Sequence, residues 1–296
     1  MLSNILKMTT EKRVGYGKSF ASFGEIVQGR LSNGEDFLVT IPIDMWSICE
    51  LSYEPIAGNS FVIAKFSKSQ EVAEQMLEVL GMTRGAKITI EFTRNIPIGK
   101  GLSSSTADML AVVRAFQEVF GILVTETFIS RLFAKIEPHD ALHYPMSAVY
   151  NHRQGHLLNK LGYIPNFNII AVDAGGELST VEYNKHLNFS QEILGEYDQL
   201  YQNLLLAFTR KDDREIAHCA RQSAELHVKR TRNQFLDKIL KYTAQLDIIG
   251  VLATHSGTCA GLLLAGDASE VQISQLVTEA AKIGQVFHTK TLKILL

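Results

Sequence analysis

A loop rich in glycine and serine constrains the fold of this chain more than any other segment. It reads Pro97-Ile98-Gly99-Lys100-Gly101-Leu102-Ser103-Ser104-Ser105-Thr106-Ala107. Before it, residues 86–92 alternate apolar and polar side chains, as a half-buried strand does. After it, apolar side chains recur on one helical face, at Met109, Val113, Phe116 and Phe120. The sequence therefore predicts a strand, a short loop and a helix in that order.

The chemistry of this loop favours a bound phosphate. A helix start presents backbone N–H groups and the positive end of the helix dipole, which attract anions. Glycine lets the backbone approach a phosphate closely, serine hydroxyls donate hydrogen bonds, and the Lys100 ammonium can neutralise phosphate charge. The spacing matches neither the Walker nor the Rossmann pattern, and a serine helix cap would need fewer glycines and serines. We predict that a nucleotide phosphate binds Pro97, Gly99, Lys100, Gly101, Leu102, Ser103, Ser104 and Ser105.

The composition is typical of a soluble globular protein and gives no support to several classes of function. Of 296 residues, 46% are hydrophobic and 20% charged, and the net charge is −2. A charge this small gives no reason to bind nucleic acid or an anionic membrane. Cys49, Cys219 and Cys259 are scattered without metal-ligand spacing, which fits a reducing compartment. Because the start lacks a signal pattern and no apolar run reaches membrane length, we expect a cytoplasmic protein.

Two domains are expected, with a boundary in a stretch of weak periodicity. Residues 150–165 are rich in Asn, His, Gly and Lys, and residues 167–173 then read as a buried strand. The predicted domains are residues 1–160, which contain the glycine loop, and residues 161–296. A second loop of small residues, Thr254 to Gly261, lies in the second domain.

The remaining patterns predict a mixed α+β fold. Strands are expected at residues 37–43, 47–53, 167–173, 250–254, 262–265 and 285–292. Helices are expected at residues 70–80 before Gly81, from the glycine loop to about Phe120 before Gly121, from a Thr125 cap until Pro138, and around 191–209, 212–229, 233–248 and 269–283.

Three segments together resemble the GHMP kinases, the superfamily of galactokinase, homoserine kinase, mevalonate kinase and phosphomevalonate kinase. Pro97 to Ser105 is similar to the phosphate motif of that family. Thr254 to Gly261 lies where the family has its C-terminal glycine motif, and Phe20 to Gly29 where it has its first motif, near the substrate. The three follow the expected order over most of the chain, which is more specific than any one alone.

Further blocks narrow the resemblance to the propanediol-utilisation L-threonine kinases, which are associated with cobalamin synthesis. They are Gly24-Glu25-Ile26-Val27-Gln28-Gly29, Ile41-Pro42-Ile43-Asp44, Lys100-Gly101, Ser104-Ser105-Thr106-Ala107-Asp108, Ile136-Glu137-Pro138-His139-Asp140 and His255-Ser256-Gly257. Two features depart from that pattern: His139 stands where a small hydroxyl residue is usual, and the run from Ala141 to Tyr144 is unusual. Both departures leave the acceptor alcohol open.

The resemblance implies the GHMP kinase fold, with a ribosomal-S5-like N-terminal domain that binds ATP and a ferredoxin-like C-terminal domain. It implies ATP-dependent transfer to the hydroxyl of L-threonine, which gives O-phospho-L-threonine. It assigns Mg²⁺ to Ser105 and Glu137, and one hydroxyl with one carboxylate suits an ion that keeps several waters. Ser105 could also cap the helix, and Glu137 could be a solvated carboxylate. Because Glu137 would face the negative end of a helix dipole, its place indicates a compensating cation.

Four more side chains are candidates for catalysis or for acceptor binding. Asp140 could orient or deprotonate the acceptor hydroxyl, or only shape the turn after Pro138. Glu25 suits the ammonium of an amino acid and Gln28 a hydrogen bond to it, unless both are ordinary loop residues. Asp44 follows an apolar run and is either a turn former or a site residue.

Other features favour plainer interpretations. The histidines at 139, 143, 152 and 156 lack the spacing of a metal site, so packed or solvated side chains are expected. Cys259 is expected to be a small buried residue rather than a nucleophile. The same fold could phosphorylate homoserine, serine or another small alcohol, or the chain could be a catalytically silent member that binds a ligand. If the chain forms an oligomer, we expect a homodimer.

Overall fold

Strands and helices alternate along the chain in the mixed α+β pattern that the sequence predicts. The structure, a computed structural model, describes residues 11–175, 189–255 and 258–292. Its strands are β1 (Arg13–Arg30), β2 (Asp36–Asn59), β3 (Phe61–Ala64), β4 (Arg84–Arg94), β5 (Ala148–Asn151), β6 (His156–Lys160), β7 (Phe167–Asp173), β8 (Gly250–Ala253), β9 (Cys259–Ala265) and β10 (Gln285–Lys290). Its helices are α1 (Ser67–Val79), α2 (Ser104–Phe120), α3 (Glu126–Ala134), α4 (Gln191–Arg210), α5 (Asp213–Thr231), α6 (Gln234–Thr243) and α7 (Glu270–Ala280).

These strands form one sheet in the order β10-β7-β9-β8-β1-β2-β4-β3, and the β5–β6 hairpin attaches to β2. Neighbouring strands run antiparallel, apart from the parallel pair β3 and β4. Strands from before and after residue 160 meet where β1 pairs with β8, through Glu25 opposite Ala253. Glu25 therefore lies at the seam between the two halves of the sheet.

Two glycines of β1 permit close packing, Gly24 at this seam and Gly17 against α2. Gly24 has a φ of +49°, and a Cβ there would lie 2.7 Å from the carbonyl oxygen of Ala253. At Gly17 a Cβ would lie 1.8 Å from the carbonyl oxygen of Ala111, because α2 packs directly on the strand. Any larger side chain at either position would separate elements that now touch.

The main apolar core lies between α2 and the strands β1, β2 and β4. Val112 and Phe116 of α2 are fully buried there, and Phe120 packs edge-on against Tyr53 of β2. A smaller core joins β7, β8 and β9 to α6 and α7, with Val251 and Leu262 fully buried. The helix that follows the glycine loop is thus held along its length, which fixes the position of its first turn.

The ends of several elements confirm the sequence predictions. Gly121 ends α2 with a φ of +60°, and the Thr125 hydroxyl accepts a hydrogen bond of 3.2 Å from the Phe128 amide at the start of α3. Other elements differ: residues 37–53 form one strand instead of two, α6 ends at Thr243, and α3 ends at Ala134, before Pro138. The β5–β6 hairpin occupies part of the stretch that we expected to be irregular.

Two global features bear on the class of protein. No helix in the described part of the chain has both the length and the apolar character that a membrane crossing needs. Cys49, Cys219 and Cys259 are buried free thiols, and burial raises the pKa of Cys259 to about 12. Cys259 is therefore the small buried residue that the sequence predicts.

Candidate active site

The glycine loop presents the start of α2 to a cavity. Gly99 and Gly101 have φ angles of 72° and 75°, and Ser103 also adopts the left-handed conformation, at 55°. Ser103 precedes the first helical residue, yet its side chain makes no capping hydrogen bond, and the first turn carries no acidic residue. The amide groups of this turn are therefore suited to an anion from outside the helix.

The cavity has a volume of about 270 Å³. Its wall combines residues that lie far apart in the sequence, from Glu25 on β1 to His255 after β8. It contains most of the predicted site residues, namely Glu25, Gly99, Gly101, Leu102, Ser103, Ser104, Ser105, Glu137 and Asp140. The fold thus brings together the glycine loop, the predicted metal residues and two candidate carboxylates.

The two predicted metal residues lie next to each other. The Ser105 hydroxyl donates a hydrogen bond of 2.5 Å to Oε1 of Glu137. The other carboxylate oxygen of Glu137 forms an ion pair with Lys68 of α1, which also lines the cavity. Lys68 is the compensating cation that the position of Glu137 indicated.

Asp140 lies in the same wall and interacts with both Ser103 of the glycine loop and Glu25. Burial raises the pKa of Asp140 to about 6; a hydrogen bond from Ser103 opposes this shift and the charge of Glu137 adds to it. The Ser103 hydroxyl also hydrogen-bonds to that of Ser22 on β1. At neutral pH the carboxylate is mostly ionised but basic enough to accept a proton.

Glu25 is a buried carboxylate that faces the cavity. Only 3% of the residue is exposed, and its Oε2 atom has no hydrogen-bond partner among the described residues. Burial, with the charge of Asp140, raises the pKa of Glu25 well above its ordinary value. Such a carboxylate would be stabilised by a cationic group that enters the cavity.

Gln28 lies behind the cavity wall and orients a histidine. Its Nε2 donates to the carbonyl oxygen of Ala253 at 3.2 Å, so its Oε1 faces Nδ1 of His255, 2.6 Å away. Because an amide oxygen only accepts, Nδ1 of His255 carries a proton. The His255 ring packs edge-on against His152, with ring centres 4.8 Å apart, and both rings line the cavity.

His139 lines the cavity and His143 does not, and burial holds both rings neutral. Burial lowers the pKa of His139 to about 4 and that of His143 to about 3. Nε2 of His139 lies 2.7 Å from the Tyr150 hydroxyl, and Nε2 of His143 lies 2.7 Å from the Ser130 hydroxyl. These contacts are those of packed histidines, one of the two environments predicted for them from the sequence.

Four predicted site residues are not among those that line the cavity, and Gln28, described above, is one of them. Pro97 lies earlier in the loop, and the Lys100 ammonium forms an ion pair with Asp173 of β7, at 2.7 Å. Asp44 lies elsewhere, where its Oδ1 accepts hydrogen bonds from the Thr289 hydroxyl and the Lys290 amide. The structure therefore does not bring Asp44 to the other candidate residues, because the pairing of β10 occupies its carboxylate.

The residues present fit a divalent cation with hard oxygen ligands better than a histidine or cysteine site. Ser105 of the glycine loop and Glu137 supply two adjacent oxygens. In residues 11–175, 189–255 and 258–292, no group of three or more His, Cys, Asp or Glu side chains is placed to hold a metal ion. Mg²⁺ suits this arrangement, since it takes few protein ligands.

The match to known families agrees with this geometry. Residues 67–146 match the model of the GHMP kinases N terminal domain. Over this segment the chain is similar to the GHMP kinases. The matched segment runs from α1 through the glycine loop to just beyond Asp140, so the family resemblance that the sequence showed is confirmed.

Relatives and solved structures extend the likeness over the chain. The L-threonine kinase of Citrobacter freundii is 23% identical over 250 residues, which cover 82% of this chain and 84% of that protein. The homoserine kinase structure from Cytophaga hutchinsonii matches with a TM-score of 0.70 at 14% identity, covering 95% of each chain. The L. major mevalonate kinase structure, a complex with R-mevalonate, matches with a TM-score of 0.69 at 15% identity, covering 96% of each. The α+β GHMP kinase fold is thereby confirmed.

Lys68, His152 and His255 line the site, but sequence reasoning assigned them no role. Lys68 sits in an ordinary polar helix start, and no local pattern marks it. His255 belonged to the glycine motif, and His152 to the group of histidines near residue 150. Their contact depends on the residues just after β5 and β8 meeting in the fold, which local patterns do not predict.

Proposed function

We propose that this GHMP-family kinase transfers the γ-phosphoryl group of ATP to the side-chain hydroxyl of L-threonine. The main supporting observation is that one cavity is lined by the uncapped start of α2, by Ser105 with Glu137, and by two carboxylates with raised pKa values, Glu25 and Asp140. Phosphoryl transfer needs a phosphate cradle, charge neutralisation and a positioned nucleophile. The cavity has a candidate for each.

The glycine loop is the proposed phosphate cradle. Amide groups at the start of α2, with the Ser103, Ser104 and Ser105 hydroxyls, would donate to phosphate oxygens. Lys100 would neutralise charge at the edge of the loop. Ser105 and Glu137 would hold Mg²⁺, which supplies further charge neutralisation at the phosphates when it is bound.

Asp140 is the proposed acceptor of the hydroxyl proton. The acceptor oxygen forms a bond to the γ-phosphorus, the bond from that phosphorus to the bridging oxygen of ADP breaks, and the hydroxyl proton goes to the Asp140 carboxylate. A pKa near 6 leaves this carboxylate ionised at neutral pH. Glu25 would bind the ammonium of the acceptor and thereby aim its hydroxyl at the phosphate.

L-threonine is the proposed acceptor for two reasons. The buried Glu25 carboxylate calls for a cationic group, and the chain is similar over most of its length to an L-threonine kinase. ADP release, coupled to NADH oxidation, would be measured with L-threonine, L-serine, L-homoserine and mevalonate. Release with L-threonine at the highest kcat/KM is expected. Preference for another alcohol would change the acceptor, and nucleotide binding without turnover would indicate a silent member.

Four finer features of the proposed L-threonine kinase remain predictions. They are a division into ATP-binding residues 1–160 and residues 161–296, a homodimer, a place in the cytoplasm, and a product that feeds cobalamin synthesis. Sedimentation of the purified chain would test the homodimer, and cobalamin production in a deletion strain would test the pathway.

A further inference from the structure

Two side chains in the cavity wall carry buried polar atoms without hydrogen-bond partners among the described residues. One is Glu25, through Oε2, and the other is His152, through both Nδ1 and Nε2. His152 is 6% exposed and Glu25 is 3% exposed. Buried polar groups in folded proteins nearly always have hydrogen-bond partners, so each exception raises the question of which group supplies the missing partner.

The His152 ring is held in place although its nitrogens are not satisfied. It packs edge-on against His255, which Gln28 orients, and the backbone carbonyl of His152 accepts a hydrogen bond of 3.2 Å from the His139 amide. A ring fixed this way, in a residue that lines the cavity, is preorganised to contact a ligand.

Glu25 and His152 need partners of opposite charge. An ionised carboxylate only accepts hydrogen bonds, so Glu25 calls for a cationic donor. A neutral imidazole has one N–H, which donates best to an anionic oxygen, and a bound anion would further favour the protonated ring. A ligand that satisfies both must carry a donor cation and an acceptor anion.

We propose that His152 is a specificity-determining residue that binds the carboxylate of an α-amino acid whose ammonium is bound by Glu25. This inference rests on the proposed function and deepens it, because it defines the acceptor class as a zwitterionic hydroxy amino acid. An amino alcohol would leave His152 without a partner. A hydroxy acid would place its charge beside the carboxylates of Glu25 and Asp140 without a compensating cation.

Ligand analogues that each lack one charged group test the proposal by binding alone. Isothermal titration, with Mg²⁺ and a non-hydrolysable ATP analogue present, would compare L-threonine, L-threoninol without the carboxylate, and 3-hydroxybutyrate without the ammonium. In His152→Leu we expect the Kd of L-threonine to rise about 10-fold or more and that of L-threoninol to change less than about 3-fold. In Glu25→Gln we expect weaker binding of both ammonium ligands and no loss for 3-hydroxybutyrate.

Two further variants separate recognition from packing. His152→Asn and His152→Gln place an amide N–H near the positions of Nδ1 and Nε2, and one of them is expected to restore most of the affinity for L-threonine. His156→Leu serves as a matched control, since His156 is a half-exposed histidine on β6 that pairs with Glu35. Because His152→Leu removes unpartnered polar atoms, its melting temperature is expected to equal or exceed that of the wild type.

Equal losses of L-threonine and L-threoninol binding in His152→Leu would overturn the proposal, as would failure of both amide variants to restore affinity. Absence of L-threonine binding to the wild type would overturn it as well. If the wild type phosphorylates L-threonine but His152→Leu discriminates between L-threonine and L-threoninol as the wild type does, only the role of His152 is removed. Selective L-threonine binding with no ADP release from any alcohol would remove the kinase function and keep this recognition.

Discussion

The Nζ atom of Lys100 lies 2.7 Å from Oδ2 of Asp173, which ties the glycine loop before α2 to the end of β7. The Thr258 hydroxyl and the Gly175 amide also donate to Asp173. Burial alone would raise the pKa of Asp173, but hydrogen bonds from Lys100, Thr258 and Gly175 lower it overall. A bound phosphate would compete with this carboxylate for the Lys100 ammonium.

Asp173→Asn should therefore have opposite effects on stability and on nucleotide binding. Loss of a largely buried partner charge is expected to lower the free energy of unfolding by about 2 kcal/mol. The KM for ATP should fall, because Lys100 no longer divides its charge between two anions. Urea unfolding and initial rates measure the two effects. Asp267→Asn, at an exposed position, is the control, and an unchanged KM for ATP would show that Lys100 does not reach the phosphates.

Ser105→Ala should lower turnover strongly while the fold persists. The variant removes one of two adjacent oxygens proposed for Mg²⁺, and this contact acts mainly on the metal–phosphate complex. We expect kcat to fall about 100-fold or more, with a melting temperature within a few degrees of the wild type. Ser274→Ala on the exposed side of α7 is a matched control. Undiminished turnover in Ser105→Ala would remove Ser105 from the metal site.

Asp140 should give the reaction an acid limb near pH 6. Its raised pKa means that the carboxylate accepts protons from solution below about pH 6 and can then no longer accept the hydroxyl proton. The wild-type kcat should fall about tenfold per pH unit below that value, and Asp140→Asn should have a low kcat without this limb. An Asp140→Asn profile that retains the limb would assign the titration to another group.

The same carboxylate should cost folding stability at high pH. Its folded pKa is raised from 3.8 to about 6, so the folded state penalises the charged form above pH 6, and the penalty is relieved as the pH falls through 6. At pH 8 we therefore expect Asp140→Asn to be more stable than the wild type, by about 1–3 kcal/mol. Equal stability at pH 8, measured by urea unfolding, would show that the site leaves this carboxylate well solvated.

Lys68→Met should reduce the Mg²⁺ requirement. The Lys68 ammonium pairs with the Glu137 carboxylate, so it competes with a cation for that group. Without it, we expect the half-saturating Mg²⁺ concentration to fall about 3- to 10-fold, as expected for removal of one nearby charge. The titration would follow initial rates at fixed ATP. Lys238→Met, on α6 away from the cavity, controls for net charge; a higher Mg²⁺ requirement in Lys68→Met would contradict the prediction.

The buried histidines should make the protein acid-sensitive. Burial lowers the pKa values of His139, His143 and His152 to about 4, 3 and 4. Between their ordinary value of 6.5 and about 4, the unfolded chain binds more protons at these positions, so their contribution to stability falls as the pH falls. The raised pKa values of Glu25 and Asp140 act in the opposite sense and offset part of the slope.

His152→Leu isolates one of these histidines. Its free energy of unfolding should fall less steeply between pH 6.5 and 4.5 than that of the wild type, by about 1 kcal/mol per pH unit where one proton uptake is lost. Urea titrations at several pH values measure the slopes. Parallel slopes for the two proteins would mean that His152 is protonated in the folded state over this range.

Much of the fold could be predicted because its signals are local. The helix after the glycine loop, its Gly121 end and the Thr125 cap are set by side chains within one or two turns, and the structure confirms all three. Long-range pairing is different. The merged strand β2 and the β5–β6 hairpin depend on neighbours in the sheet, and local periodicity does not contain that information.

The site residues show the same contrast between local signals and long-range pairing. The glycine loop and Glu137 were found because each belongs to a family motif, and the fold places Ser105 against Glu137 across 32 positions. Asp44 was expected near the substrate but meets Thr289 and Lys290, since the register of β10 is invisible in the segment around Asp44. Lys68 and His152 reach the cavity through helix and strand packing, which no short motif encodes.

The contact between Gly24 and Ala253 has an implication for how this protein can diversify. Gly24 allows the two halves of the sheet to touch, and its neighbour Glu25 forms the rung between them while facing the cavity. Two consecutive residues, Gly24 and Glu25, therefore serve the architecture of the sheet and the proposed choice of ligand. A lineage that altered Gly24 would disturb ligand selection without changing any side chain proposed to contact the ligand, so new acceptors should arise through changes at His152 instead.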